Sequence, residues 1–229
     1  MAITLRGGGT SLHPRLDRVV QFDERSRMFP VRTAIAASAR PRSWSWPVQT
    51  ILDQGEEGAC VGFSICHELN APPVMVPISE ALATATYELA RRMDSLPGEN
   101  YPGTSLLAGM KAAVAMGFYG EYRWAFSEDE LLLAVGHKGP TVLGCNWYEG
   151  MFEPRRNGFI EPTGQLLGGH AICIEGVSLV EDAYHLPNSW GPTWGIRGRC
   201  KIKRAHLRRL LRENGEACIP VQRWRPRTL

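Results

Sequence analysis

Residues 53–64, Asp-Gln-Gly-Glu-Glu-Gly-Ala-Cys-Val-Gly-Phe-Ser, carry a thiol to the end of a glycine-punctuated turn and the start of a stretch, Val61 to Leu69, that can wind as a helix. The free N–H groups and dipole of a helix N-terminus favour a thiolate, the form of sulfur that attacks carbonyls. Cys60 is therefore placed as a nucleophile. Gln54 stands just upstream, where its carboxamide can reach back beside the Cys60 N–H and complete a pair of donors for an oxyanion. Acyl transfer through such a sulfur also needs a base that later acts as an acid for the leaving amine, and imidazole changes charge in the right pH range.

Six histidines compete for that role. His67 lies seven positions along the same helix, roughly 10 Å away at ~1.5 Å rise per residue, too far for proton transfer. His13, His137, His185 and His206 fall in ordinary loop or surface contexts. His170 heads a predicted strand after Gly168-Gly169, where the lack of side chains lets another backbone or a substrate approach. The segment Pro187-Asn188-Ser189-Trp190-Gly191-Pro192-Thr193-Trp194-Gly195 offers a carboxamide at Asn188 able to hold one ring nitrogen of His170, with Trp190 shielding that bond from water. Taken singly, His170 reads first as a satisfied structural histidine, and the Trp/Gly segment reads equally as a packed turn.

The elements that must position these groups change in period along the chain. Residues 1–45 are Arg-rich and aperiodic, an arm lying across a surface. Helices are predicted from Cys60 to about Ala71, stopped by Pro72 and Pro73; from Ser79 to near Asp94; and from Thr104 or Ser105 through Val114, with Gly117 as a left-handed cap. Ser127-Glu-Asp-Glu130 forms a capping box before a short helix, Leu131 to Val135, closed by Gly136. From there the pattern alternates: strands are predicted at Thr141–Trp147, His170–Val177, Tyr184–Asn188, Arg199–Lys203 and Cys218–Gln222, with a basic amphipathic helix from Arg204 to Glu213. A helical half followed by an antiparallel half, without βαβ alternation, predicts an α+β protein of two lobes and a cleft between them.

Composition narrows the class. At 229 residues with 44% hydrophobic content, the chain can bury a substantial core and is not disordered. No stretch has signal-peptide or membrane-spanning character, so synthesis in the cytoplasm and no membrane partner are expected, with later release or incorporation into an assembly left open. The cysteines at 60, 66, 145, 173, 200 and 218 show neither disulfide nor zinc spacing and are read as reduced thiols. No metal or organic cofactor is expected. The net charge is only +3, though Lys201 to Arg212 and Arg223, Arg225 and Arg227 concentrate positive charge near the C-terminal end. Without interleaved aromatics this reads as a solvated face, and no nucleic-acid partner is expected.

Together the motifs resemble those of the papain-like cysteine peptidases, over about Trp46 to Arg204. The family pattern Gln-Gly-x-x-Gly-x-Cys is Gln54-Gly55-Glu56-Glu57-Gly58-Ala59-Cys60 here, followed by Phe63-Ser64. His-Ala leading an apolar strand to Gly is His170-Ala171 through Gly176. Asn-Ser-Trp-Gly-x-x-Trp-Gly-x-x-Gly is complete from Asn188 to Gly198. The resemblance implies a two-lobed fold, with a helical lobe at about 46–125 and an antiparallel β-barrel-like lobe at about 126–229. It implies Cys60 as nucleophile, His170 as general acid/base, Asn188 as its orienter and Gln54 in the oxyanion hole, acting on a peptide or protein substrate. Gly103, Thr104 and Ser105 fall where the family's helical lobe lines the cleft, and Gly58, Gly169, Trp190 and Trp194 complete the expected substrate contacts. Gly103 to Ser105 read equally as a helix cap, and both tryptophans as packing.

Departures from the pattern matter too. Glu57 replaces a family cysteine that forms a disulfide, Val61 the usual aromatic after the nucleophile, and Gly169 the polar residue usual before the histidine. The interval from Cys60 to His170 is shorter than the ~130 residues usual in secreted members, which resembles the trimmed, disulfide-free forms of bacteria, archaea and their viruses. Glu56 and Glu57 raise the thiol pKa unless they point to solvent. Two rival readings share these residues: an acyl transferase or isopeptidase using the same triad, and a catalytically silent component of a larger assembly held through the arm or the basic C-terminal end.

Overall fold

The computed structural model describes residues 1–224. The first 45 residues lie on the rest of the molecule as short pieces: β1 (Ile3–Thr4) and β2 (Thr10–Ser11) form a small ribbon, β3 (Arg18–Val19) follows, then two 3-10 turns at Glu24–Met28 and Val31–Ala34, then β4 (Trp44–Ser45). Leu16, Val31 and Ile35 are buried in the core of the strand-rich half, so this segment is anchored by apolar burial as well as hydrogen bonds.

The helical half contains α1 (Cys60–Asn70), α2 (Glu80–Met93), β5 (Thr104–Ser105) and α3 (Leu106–Ala115). Ser79 and Ser105 cap α2 and α3 by accepting from Leu82 N and Ala108 N, and Gly117 takes φ +80° just after α3. Every residue of α1 is buried, because it is wedged between α2, α3 and the sheet that carries His170. Gly62 permits this: a Cβ there would fall 2.2 Å from Ala83 O.

The second half adds β6 (Tyr119–Ala125), α4 (Glu128–His137), β7 (Thr141–Tyr148), β8 (Phe159–Ile160), β9 (Leu166–Ile174), β10 (Gly176–Ser178), β11 (Ala183–Pro187), β12 (Arg199–Lys203), α5 (Arg204–Arg212) and β13 (Glu216–Arg223). Ser127 caps α4 by accepting from Glu130 N, but the Glu130 carboxylate reaches back to Phe126 N, one residue beyond the expected box, and the helix runs through Gly136 to His137.

The architecture is α+β, but the strands do not close into the expected barrel. Among the described residues the larger sheets are open, one ordered β6-β13-β7-β9 and one β4-β10-β11-β12-β8, beside the two-stranded pairs β1-β2 and β3-β5. The predicted strand His170–Val177 is in fact the end of β9 plus β10: the chain leaves one sheet at Ile174 and enters the other at Gly176, with Glu175 N bonded to His185 O at the switch. The second sheet also contains a parallel pair, β12 with β8.

The basic C-terminal cluster is largely paired internally. Arg204 and Arg208 hold the buried Glu128, Arg209 bonds Glu213, and Arg223 bonds the buried Glu68. Arg225 and Arg227 lie outside the described residues. No helix among the described residues is long and apolar enough to cross a membrane.

Candidate active site

Cys60 is the first residue of α1, with Ala59 at the N-cap, as the turn chemistry requires. The turn itself is stitched to the Asn188 segment. Gln54 N donates to Ser189 O (2.9 Å), Ser189 Oγ donates to Gln54 Oε1 (2.6 Å), and Gly191 N donates to Leu52 O (3.2 Å). With its oxygen so engaged, the Gln54 carboxamide presents Nε2 toward the cleft. Glu56 and Glu57 are exposed, and Glu56 meets Arg15 at 3.1 Å, so neither carboxylate bears on the sulfur.

His170 does not head a strand but sits in the middle of β9, opposite Cys145 of β7. The Ala171 N–H donates to Cys60 Sγ at 3.2 Å, which sets the sulfur against the residue following the histidine. His170 Nε2 donates to Asn188 Oδ1 at 2.9 Å, and Ser189 N donates to the same oxygen at 2.9 Å, locking the amide orientation. Trp190 lies 5.1 Å from the imidazole, centroid to centroid, and the fully buried Trp147 lies 4.6 Å away. Trp147 was not singled out in the sequence, where it reads as one alternating core position of a strand. His170 Nδ1 is buried and has no hydrogen-bond partner among the described residues. Burial lowers the His170 pKa to about 4, partly offset by the Asn188 bond. The imidazole is thus neutral, with Nε2 carrying the proton and Nδ1 open to accept one.

The arm fills the cleft between these groups. Cys60 Sγ donates to Asp17 Oδ1 at 3.0 Å rather than to the histidine. Gln54 Nε2 donates to Arg15 O at 3.2 Å and to Glu57 O at 2.6 Å, so the expected oxyanion donor already holds an arm carbonyl. β3 pairs in parallel with β5, Arg18 opposite Thr104 and Val19 opposite Ser105, and Ser105 Oγ donates to Gln21 Oε1 at 2.7 Å. Three glycines give the arm room: a Cβ at Gly58 would fall 2.7 Å from Asp17 Cβ, at Gly103 2.8 Å from Asp17 O, and at Gly169 2.2 Å from Arg18 O. Arg15 stacks over Trp190 at 5.8 Å, while Trp194 donates to Phe152 O and packs edge-on against Trp190. Of the seven expected substrate contacts, then, Trp194 is joined to packing and the other six border the arm.

Electrostatics in this closed arrangement oppose the thiolate. Burial and then the Asp17 charge push the Cys60 pKa well up. Burial also raises the Asp17 carboxyl to about 7, against hydrogen bonds from Cys60 and Tyr87. Of the remaining histidines, His67 is a structural acceptor for Leu52 N at 3.1 Å, whereas His13, expected in an ordinary loop, packs on Phe152 at the cleft's edge, ring centroids 4.7 Å apart. The other five cysteines are free and buried, and among the described residues no three His, Cys, Asp or Glu side chains cluster as a metal site.

No family model matches the chain. Cathepsin B-like cysteine proteinase 3 of Caenorhabditis elegans is 31% identical over 80 residues, 34% of this chain and 22% of that protein. Cathepsin Q of Rattus norvegicus is 32% identical over 83 residues, 33% of this chain and 24% of that protein. The chain thus matches under a quarter of the length of these curated relatives. The crystal structure of xylellain, a cysteine protease from Xylella fastidiosa, superposes with TM-score 0.68 at 16% identity, covering 93% of this chain and 98% of that one. The fold is the papain-like one. Segments of about 80 residues are similar to the cathepsin-type cysteine proteinases.

Proposed function

We propose that the chain hydrolyses peptide or related amide bonds through a thioester on Cys60, and that residues 15–19 hold it closed until the arm is displaced. With Asp17 withdrawn, His170 Nδ1 accepts the Cys60 proton and the sulfur adds to the scissile carbonyl carbon. The oxygen takes the negative charge between Gln54 Nε2 and the Cys60 N–H. Collapse breaks the C–N bond as the imidazolium returns its proton to the leaving amine. Water, deprotonated by the same imidazole, then hydrolyses the thioester and restores the thiol. Asn188 fixes the ring so that Nε2 keeps its proton throughout.

The observation that carries this reading is the convergence at one cleft of Cys60 Sγ on the β9 backbone beside His170 and of His170 Nε2 on Asn188. The test is a cleavage profile on a peptide library by the full chain and by Asp17→Ala, each against Cys60→Ala. Cleavage products that require Cys60 support the reading. The occupied oxyanion donor also favours a second one, a permanently closed and catalytically silent member of the family. Asp17→Ala, folded and silent on every peptide, would establish that instead.

A further inference from the structure

His170 gets little lateral support from its own strand. Gly168 and Gly169 precede it in β9, and directly across the ladder it faces only the small side chain of Cys145 in β7. The next residue on that face of β7 is Trp147, opposite Gly168, so indole and imidazole are diagonal neighbours across the two strands, a spacing that aromatic side chains span. Their ring centroids lie 4.6 Å apart with the planes at 69°, and Trp147 in turn meets Trp190 edge-on at 5.4 Å. The imidazole therefore packs into the angle between two indoles, one from β7 and one from the Asn188 segment. The room beside Gly168 belongs to the arm, since a Cβ there would fall 2.7 Å from Ser11 Oγ and 2.9 Å from Leu16 Cβ. Once Leu16 leaves with the arm, Trp147 is the large side chain that remains against the ring on the strand side.

Packing alone does not call for tryptophan at this position. Trp147 is fully buried, and its Nε1–H has no hydrogen-bond partner among the described residues. A leucine or phenylalanine would fill a core position without burying an unpaired donor, which an indole normally avoids. What the indole adds is a broad, rigid edge set against the imidazole. The Asn188 bond holds the ring by one atom, Nε2, and leaves it free to turn about that contact. Proton transfer needs Nδ1 kept within hydrogen-bond reach of the sulfur. We propose that Trp147 is a positioning residue for the general base: with Trp190 it closes off the other orientations of the His170 ring, so that Nδ1 stays turned toward Cys60 when the arm is displaced. The step so served rests on the peptidase reading, but the restraint on the ring does not. The same walls exclude water, and burial is the main cause of the low His170 pKa of about 4. The other titratable and charged groups around the ring are His13, Arg15 and Asp17 of the arm, Cys60 of α1 and Cys145 of β7, and a change at position 147 replaces none of them.

The test replaces Trp147 by phenylalanine, which keeps a flat aromatic face, and by leucine, which keeps apolar bulk without one, in the full chain and in Asp17→Ala. Nitrogen-15 spectra of the histidine rings, with His170→Ala to assign the signal, read tautomer and titration without any turnover. A single Nε2–H tautomer is expected in the parent and in Trp147→Phe. Trp147→Leu should show mixed tautomers and a midpoint moved up from about 4 toward the ordinary 6.5. In the Asp17→Ala background, alkylation of Cys60 by iodoacetamide should slow by about tenfold to a hundredfold with leucine, the scale of misplacing reacting groups by about 1 Å, and by less than about threefold with phenylalanine. Melting temperatures are followed alongside. A lower melting temperature in Trp147→Leu, with tautomer, midpoint and alkylation rate as in the parent, makes Trp147 core filling and overturns the proposal. Trp147→Phe as disturbed as Trp147→Leu overturns it too. The expected spectra together with no cleavage of any peptide by Asp17→Ala would overturn the peptidase reading and leave the restraint standing. If Trp147→Leu does not fold, Trp147→Met takes its place and the same outcomes apply.

Discussion

The Cys60 thiol donates to Asp17 Oδ1 at 3.0 Å, so the proton that His170 would have to take stays on sulfur and points at the arm carboxyl. Two effects of Asp17 reinforce each other: it accepts the hydrogen bond of the neutral thiol, and its charge raises the thiol pKa. Asp17→Ala removes both and opens space over the sulfur. Iodoacetamide should alkylate Cys60 in this variant at least about tenfold faster than in the parent, one unit of pKa relief being a tenfold gain in thiolate. Peptide mapping with mass spectrometry reads the rate at each cysteine, and an unchanged rate at Cys60 contradicts the assignment of Asp17 as the blocking group.

The pH response of arm opening follows from two opposed groups. Asp17 is raised to about 7 in the closed form, so its contribution to closure is full below the ordinary carboxylate range and is lost as pH rises through about 7. His170 is lowered to about 4, so its contribution is present above the ordinary histidine value of 6.5 and is lost as pH falls through about 4. Between about 4 and 6.5, opening releases a proton from Asp17 and takes one up on His170, and the two slopes cancel. Hydrogen exchange of the amides of residues 15–19 should therefore show an opening constant nearly independent of pH across that window. In Asp17→Asn the His170 slope stands alone, and opening should increase by up to about tenfold per unit as pH falls. A steep parent profile would contradict the cancellation.

On the proposed oxyanion role, Gln54 serves the closed and the reacting states with opposite consequences. Removing one oxyanion donor typically costs ~2.7–4 kcal/mol of transition-state stabilisation, so Gln54→Ala should cut turnover by at least about a hundredfold. The same change deletes the bond to Arg15 O at 3.2 Å, which loosens the arm by about 1 kcal/mol. Faster alkylation of Cys60 together with slower peptide cleavage is the expected signature. If cleavage by Gln54→Ala matches the parent, the oxyanion role belongs elsewhere.

Gly169 tests the fit of the arm. Its missing side chain leaves room for Arg18 O, which would lie 2.2 Å from a Cβ. Gly169→Ala should expel the 15–19 segment while leaving β9 intact, seen as increased proteolysis within the arm at unchanged circular dichroism. An arm equally protected in Gly169→Ala would show that the close approach is not what holds the segment.

Much of this was legible in the sequence where the determining contacts are local. α2 and α3 begin one residue after Ser79 and Ser105, and α1 starts at Cys60, because serine caps and glycine turns act within a few positions. β6 was missed, since Tyr119-Gly-Glu-Tyr-Arg-Trp-Ala has a weak alternation and becomes a strand only by pairing with β13. The division of His170–Val177 between two sheets is likewise a property of partners, not of the residues themselves. The contents of the cleft were the least legible part. Asp17 meets Cys60 across 43 positions and Arg18 meets Glu216 across 198, and nothing in an Arg-rich, aperiodic arm marks Leu16-Asp17-Arg18 as the part that inserts.

The central claim is that Cys60 acts as a nucleophile whose proton goes to His170 once Asp17 is out of the way. Its most direct measurement is covalent capture of Asp17→Ala by a peptidyl epoxide, followed by intact mass and peptide mapping, beside Asp17→Ala/His170→Ala. One adduct on Cys60, formed at least about a hundredfold more slowly without the imidazole, as expected for loss of a positioned base, is the predicted result. Equal capture with and without His170, or adducts spread over the six cysteines, would contradict it.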